Sequence, residues 1–334
     1  MNDSSILFIY LDLVEIIQNC QISCKYNKLL YIGGMKQNKY LVIIGGPTAI
    51  GKTSTAISLA KKLECDIISA DSRQFYREMS IGTAKPSREE LSQAKHHFVD
   101  SLSIQEDYSV GNFETEAINL LDTIFKTQDY CILTGGSGLY LNAICYGLDK
   151  FPDVDPSFRK ELNLEFDLHG LEPLVAELKQ KDSVYYATVD LANPQRVIRA
   201  LEVIRSSGQA FSSFLRQAPI ERPFTILPFC MTMERSVLYD RINQRVDIMM
   251  EQGLQEEAKS LVPYKHLNAL KTVGYSEWFD HFEGLITSEK AVELIKRNTR
   301  RYAKRQITWL KNQGSFQPIV QDENAISNIL SQVP

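Results

Sequence analysis

The chain has 334 residues, 44% of them hydrophobic and 23% charged, enough for two domains or for one α/β domain carrying an insertion. A net charge of −4 excludes a protein that is basic throughout, so a nucleic-acid partner requires a local basic patch. Six scattered cysteines without a C-x-x-C unit point away from a disulfide framework or a cysteine zinc site and suit a reducing cytoplasm.

Residues 1–34 differ in character from the rest of the chain. Ile6–Ile17 is apolar but carries Asp12 and Glu15, and no basic segment precedes it. That argues against a signal peptide and a membrane helix. Met35 is the expected true start, checkable by mass spectrometry of the native N-terminus; a membrane-surface helix is the alternative. Tyr40–Ile44 then reads as a buried parallel strand. It leads into Gly46-Pro47-Thr48-Ala49-Ile50-Gly51-Lys52-Thr53, which fits the phosphate-loop pattern G-x-x-x-x-G-K-[ST]. Ala56, Leu59, Ala60 and Leu63 continue at helical spacing. Backbone N–H groups and the helix N-terminus form an anion cradle, Lys52 adds a positive charge, and the Thr53 hydroxyl can ligate Mg²⁺. A ligand carrying a di- or triphosphate is expected, whether or not it is ATP.

A second strand, Asp66–Ala70, ends at Asp71-Ser72-Arg73-Gln74. Asp71 is either a helix N-cap or a group at the sheet edge where ligands bind. Lys85, in Gly82–Pro86, is either solvated or a phosphate ligand. His96 and His97 are adjacent on a strand and point to opposite faces, so they are read as structural. A third strand, Tyr130–Leu133, runs into Thr134-Gly135-Gly136-Ser137-Gly138. Phosphate-loop NTPases usually place an Asp at this strand end. The glycine turn with Ser137 is either a tight strand-to-helix turn or a second anion-facing loop.

Phe151–Pro156 reads as a linker, followed by helical patterns at 157–168, 171–181 and 194–207. In the last of these Arg196, Arg199 and Arg205 share a side, and Val197, Leu201 and Ile204 form the apolar stripe. Phe224–Met231 returns as a strand, and the remainder reads as mostly helical. Lys296–Lys311 holds seven basic residues and no acidic ones. Arg297, Arg300, Arg301, Lys304 and Arg305 make one basic ridge, either a solvated face or a polyanion site.

In combination, Gly46–Thr53, Ser69–Gln74, Ile81–Pro86, Gly135–Tyr140, Asn193–Arg196, Thr272–Tyr275 and Ala303–Leu310 resemble the bacterial tRNA dimethylallyltransferase family. The resemblance spans about residues 39–312. It implies an α/β fold: a P-loop NTPase-like parallel sheet core with a small all-helical insertion and a helical C-terminal part. The expected divisions are an extension at 1–34, a core at 35–150 and 219–320, a tRNA-contacting insertion at 151–218, and a tail at 321–334. The resemblance also implies transfer of a dimethylallyl group from dimethylallyl pyrophosphate to N6 of adenosine 37, with Mg²⁺, in tRNAs carrying adenosine at position 36. A cytoplasmic monomer with no membrane association is expected.

An adenine amine is a weak nucleophile, and Asp71 is the candidate base. Gly46, Pro47, Thr48, Ala49, Ile50, Gly51, Lys52, Thr53 and Lys85 are the candidate donor-binding residues. Ser137, which stands where the family commonly has threonine, and Arg245 complete the catalytic set. Segments implied to contact tRNA are Asp71, Ser72, Arg73 and Gln74; Ser137; Arg159; Gln195, Arg196, Val197, Ile198 and Arg199; Thr272, Val273, Gly274, Tyr275, Ser276 and Glu277; and Arg305, Gln306, Ile307, Thr308, Trp309 and Leu310. Three rival readings are a small-molecule kinase, an adenylate isopentenyltransferase and a non-catalytic RNA-binding module. Phosphorylation of any acceptor, preference for AMP over tRNA, and absence of pyrophosphate release would favour them respectively.

Overall fold

The computed structural model describes residues 38–216, 218 and 220–334, so the reading of residues 1–34 lies outside the described residues. The sheet comprises β1 (Tyr40–Gly45), β2 (Ile67–Ser69), β3 (His96–His97), β4 (Tyr130–Gly135), β5 (Thr225–Thr232) and β6 (Gln317–Val320). All paired neighbours are parallel, in the order β3-β2-β4-β1-β5-β6. The central strands lack polar alternation because both faces are covered. Leu41 and Ile43 enter one core, Val42 and Ile44 the other.

The helices are α1 (Lys52–Leu63), α2 (Arg88–Gln93), α3 (Val110–Ile124), α4 (Gly138–Tyr146), α5 (Pro156–His169), α6 (Glu172–Lys181), α7 (Ser183–Tyr186), α8 (Pro194–Ser207), α9 (Arg235–Glu251), α10 (Leu254–Ser260), α11 (Ser276–Phe282), α12 (Ser288–Lys311) and α13 (Ala325–Leu330). Asn193 caps α8 by accepting from the Arg196 N–H, with Pro194 at the first helical position. Helices α5, α6 and α8 share an apolar core of their own, centred on Leu162, Leu174, Leu178, Val197 and Leu201. A further core joins Tyr76 and Met79, after β2, to α9–α12 through Val246, Tyr275, Trp278 and Ile295.

The end of the chain departs from the helical expectation. Gln317–Val320 forms an edge strand on β5, and α13 packs on α1. Only Ile319 of that strand is buried, so its sequence carries little strand signal. Pro318 is tolerated because the strand is at the edge. Among the described residues no helix is long and apolar enough to cross a membrane.

Register positions the site. Gly45 lies opposite Gly135, and Ser69 opposite Thr134, so the turns after β1, β2 and β4 emerge level at one edge. Strand order changes direction here, since β1 lies between β4 and β5 while β2 lies beyond β4. Such a switch opens a crevice at the carboxyl ends of the strands. Packing between these ends leaves no spare volume: a Cβ on Gly135 would sit 2.5 Å from the Ala70 carbonyl oxygen. Gly135→Ala is therefore expected to destabilise the protein by about 1–3 kcal/mol, as overpacking does. A thermal unfolding midpoint equal to that of the wild type would contradict this close approach.

Candidate active site

The phosphate loop takes its shape from two left-handed residues, Ala49 (φ 64°) and Gly51 (φ 104°). Glycine adopts that region without strain. Gly51 precedes α1 with no side chain capping the helix, so the first N–H groups of α1 remain available to an anion. Gly46, Pro47 and Ile50 are buried and shape the loop, while Thr48, Ala49, Gly51, Lys52 and Thr53 line a cavity of about 340 Å³. Arg241 and Arg245, one helical turn apart on α9, line it as well.

The cavity sets three cations, Lys52, Arg241 and Arg245, against the carboxylates of Asp71 and Glu90. Lys52 donates to the Pro47 carbonyl at 2.9 Å. Burial is the main influence on its ammonium and Arg245 adds to it; Asp71 opposes them, leaving the pKa at about 8. Burial also lowers the pKa of Arg245, whose guanidinium donates to the Thr48 hydroxyl at 3.4 Å and the Ala84 carbonyl at 3.3 Å. A bound polyanion would relieve both groups.

A second cavity, about 710 Å³, adjoins the first. Thr48, Lys52, Asp71, Thr83 and Arg245 line both. Asp71 does not cap a helix. Its carboxylate accepts from the Arg73 N–H at 3.0 Å in a tight turn that aims it at the junction. Ser137 accepts from the Ser72 N–H and donates to the Ser72 hydroxyl, both at 3.2 Å, tying the second glycine turn to the Asp71 turn. Ser72, Arg73, Thr272, Val273, Gly274, Ser276, Glu277, Arg305 and Gln306 line the larger cavity, and Gln74 lines the smaller.

Several expected contacts have other partners. Lys85 is nearly enclosed and bonds Asp100 and the Tyr76 carbonyl; it lines neither cavity, so its assignment as a phosphate ligand is corrected to a loop anchor. Arg73 donates to the carbonyls of Asn268 (3.1 Å) and Ala269 (3.0 Å). Gln306 is buried, accepting from the Thr48 N–H and donating to the Gly136 carbonyl, both at 2.9 Å. Tyr275 is fully buried with its hydroxyl on Glu257, and Leu310 belongs to the core. Trp309 lies over Gly138, Ile307 packs at the core margin, and Thr308 is exposed but donates to the Lys304 carbonyl.

The basic ridge is divided. Lys296 pairs with Asp247 and Arg300 bonds Asn243, both on α9, whereas Arg301 and Arg305 face the larger cavity. In the insertion, Val197 and Ile198 are fully buried and have no side-chain surface to offer an RNA. Arg159 and Arg199 share Glu202, and Arg205 is held by Glu165 and Glu177. Gln195 and Arg196 are exposed. None of these residues lines either cavity.

Arg241, Gln244, Glu90, Asn298 and Tyr302 also line the cavities, and no sequence motif marks them as site residues, whereas Thr134, which lines the smaller cavity, heads the second glycine turn. The i, i+4 relation of Arg241 to Arg245 is the one signal that could have found any of them. For a divalent ion, the donors facing the anion cavity are hard oxygens, the Thr53 hydroxyl and the Asp71 carboxylate among them. That set fits Mg²⁺, which takes few protein ligands alongside phosphate and water. No cluster of three His, Cys, Asp or Glu side chains suited to a metal occurs among the described residues.

Parallel sheet, phosphate loop and level strand ends define a P-loop protein whose anion cavity opens onto a larger one. A family model described as IPP transferase matches residues 74–313, and the chain belongs to that family. A Flavobacterium johnsoniae protein named tRNA dimethylallyltransferase is 50% identical over 279 residues, covering 82% of this chain and 90% of its own. A Cytophaga hutchinsonii protein of the same name is 49% identical over 272 residues, covering 81% and 90%. The crystal structure of a full-length tRNA isopentenylpyrophosphate transferase from Bacillus halodurans superposes with a TM-score of 0.64 at 38% identity, covering 88% of this chain and 94% of that one.

Lys52 yields a pH dependence. It is charged below about pH 8 and loses its proton above. Wild-type affinity for pyrophosphate, divided by that of Lys52→Arg, is expected to fall about tenfold from pH 7 to pH 9, because the guanidinium stays charged. Titration calorimetry measures the ratio; a flat ratio would show that Lys52 keeps its proton.

Proposed function

We propose that the protein transfers a dimethylallyl group from dimethylallyl pyrophosphate to N6 of adenosine 37 in a tRNA anticodon loop, releasing pyrophosphate. The observation that carries this reading is the Asp71 carboxylate at the junction of a cationic anion cavity and a larger second cavity. A kinase could also use a carboxylate there as the base for its acceptor, but Arg301 and Arg305 on the wall of the larger cavity suit a polyanionic acceptor such as RNA. The tRNA dimethylallyltransferases of Flavobacterium johnsoniae and Cytophaga hutchinsonii support the substrate pair.

Pyrophosphate is read into the smaller cavity, held by the loop N–H groups, Lys52, Arg241 and Arg245. The adenine enters the larger one, extruded from its stack, which costs less in a loop than in a duplex. As N6 attacks C1 of the donor, an N–C bond forms and the C1–O bond breaks with its electron pair leaving on pyrophosphate. The N6 proton passes to Asp71. The cations stabilise charge growing on the leaving group, so they act most strongly in the transition state. Mg²⁺, held by Thr53, would neutralise further charge on the pyrophosphate when bound. Ser137 holds the Asp71–Ser72 turn in place through its two bonds to Ser72. Arg301 and Arg305 would meet phosphates of the RNA and set its register. The chain supplies both cavities itself, which supports action as a monomer, and a tRNA substrate supports a cytoplasmic location.

The direct test is incubation with host tRNA, Mg²⁺ and dimethylallyl pyrophosphate, followed by mass analysis of the nucleosides. Unmodified adenosine throughout would refute the reading. Asp71→Ala is expected to fold, to bind tRNA, and to lose about 10²–10⁴-fold in transfer rate, the range of general-base catalysis. Near wild-type turnover by that variant would remove Asp71 from the base role.

A further inference from the structure

The segment Ser80–Lys85 runs beside the junction, where Thr83 lines both cavities. Its carbonyls serve the site. Ala84 accepts from Arg245 at 3.3 Å, and Thr83 and Ala84 each accept from Gln74 at 3.2 Å. Its amides are held from the opposite side by one residue on α10. Glu257 accepts the N–H groups of Ser80 (3.0 Å) and Ile81 (2.8 Å) on one oxygen. Its other oxygen accepts the Gly82 N–H (3.0 Å) and the Tyr275 hydroxyl (2.7 Å).

Three successive amides converging on one carboxylate make an anion nest, filled here by the protein itself. Bonds to a charged acceptor are the stronger kind, so Glu257 fixes the Ser80–Gly82 end of the segment, as Lys85 through Asp100 fixes the other. The segment needs holding. Ala84 has φ 45°, a conformation unfavourable for a residue with a Cβ, and a Cβ on Gly82 would lie 2.6 Å from the Tyr275 ring. Glu257 itself lines neither cavity.

Resting on the prenyl-transfer reading, we propose that Glu257 is a positioning residue: by fixing Ser80–Gly82 it sets the Ala84 carbonyl, and through it the aim of Arg245 at the donor's pyrophosphate. The route is short and directional. It passes from the carboxylate to the loop amides, then to a loop carbonyl and a guanidinium.

Glu257→Gln keeps the size but replaces one acceptor oxygen by a donor that faces amide donors. Its dissociation constant for pyrophosphate is expected to rise about tenfold, and the KM for dimethylallyl pyrophosphate with it. Affinity for tRNA is expected to fall less than affinity for pyrophosphate, by about twofold, since only Gly82 and Thr83 of the larger cavity's wall belong to the held segment. In an Arg245→Ala background the same substitution should add nothing to the loss, because coupled residues are non-additive. Pyrophosphate binding equal to wild type, or two independent losses that multiply, would overturn the inference. Tyr275→Phe, which removes one of the four bonds, should weaken pyrophosphate about threefold. Should Glu257→Gln not fold, wild-type binding by folded Tyr275→Phe overturns it instead. Pyrophosphate binding is measured without turnover. A wild-type protein that binds pyrophosphate yet modifies no tRNA would refute the proposed function and leave Glu257 to be judged on binding.

Discussion

The side-chain amide of Gln306 joins the two turns on which the site depends. Its oxygen takes the Thr48 N–H of the phosphate loop, and its nitrogen gives to the Gly136 carbonyl of the turn after β4. A buried amide with both ends satisfied fixes distance and direction together. One residue of α12 thereby holds the loop that grips an anion against the loop that carries Ser137. Ser137 in turn holds Ser72 beside Asp71. The glycines make this closeness possible, since a Cβ on Gly136 would lie 2.1 Å from the Gln306 amide nitrogen.

Charge follows the same geometry. Lys52, Arg241 and Arg245 share one cavity, and burial disfavours the charged forms of Lys52 and Arg245. Such an arrangement is costly when empty and favourable when an anion fills it. Several cations elsewhere have carboxylate partners: Lys85 with Asp100, Arg205 with Glu165 and Glu177, Lys296 with Asp247. A single basic ridge on α12 thus divides into a packing side against α9 and a ligand side at the larger cavity. Helical spacing alone shows which arginines are neighbours, not which of them a second helix will occupy.

Much of the core was legible because its signals are local. The β1–loop–α1 unit combines a β-branched run, two glycines and a helical apolar stripe within one stretch of chain. The Asn193-Pro194 start of α8 is likewise a local capping device. Less legible were β6, an edge strand with one buried residue, and Lys85, whose partner Asp100 lies 15 positions away. For Asp71 the residues alone favoured a helix cap over a ligand-facing group, and the tight turn through Arg73 rules the cap out.

The amino-acid sequence by itself determined the phosphate loop, the strand-ending Asp71 and glycine turn, the insertion's helices and the family, because each rests on residue types at short spacing. Tertiary structure alone decided which of these meet. The strand register brings Gly45, Thr134 and Gly135 level, the strand order opens the crevice, and Gln306 and Glu257 reach 170 or more positions back along the chain to hold its walls. The physical reason is that hydrogen bonds over such separations depend on packing of whole elements, and no local pattern encodes their endpoints.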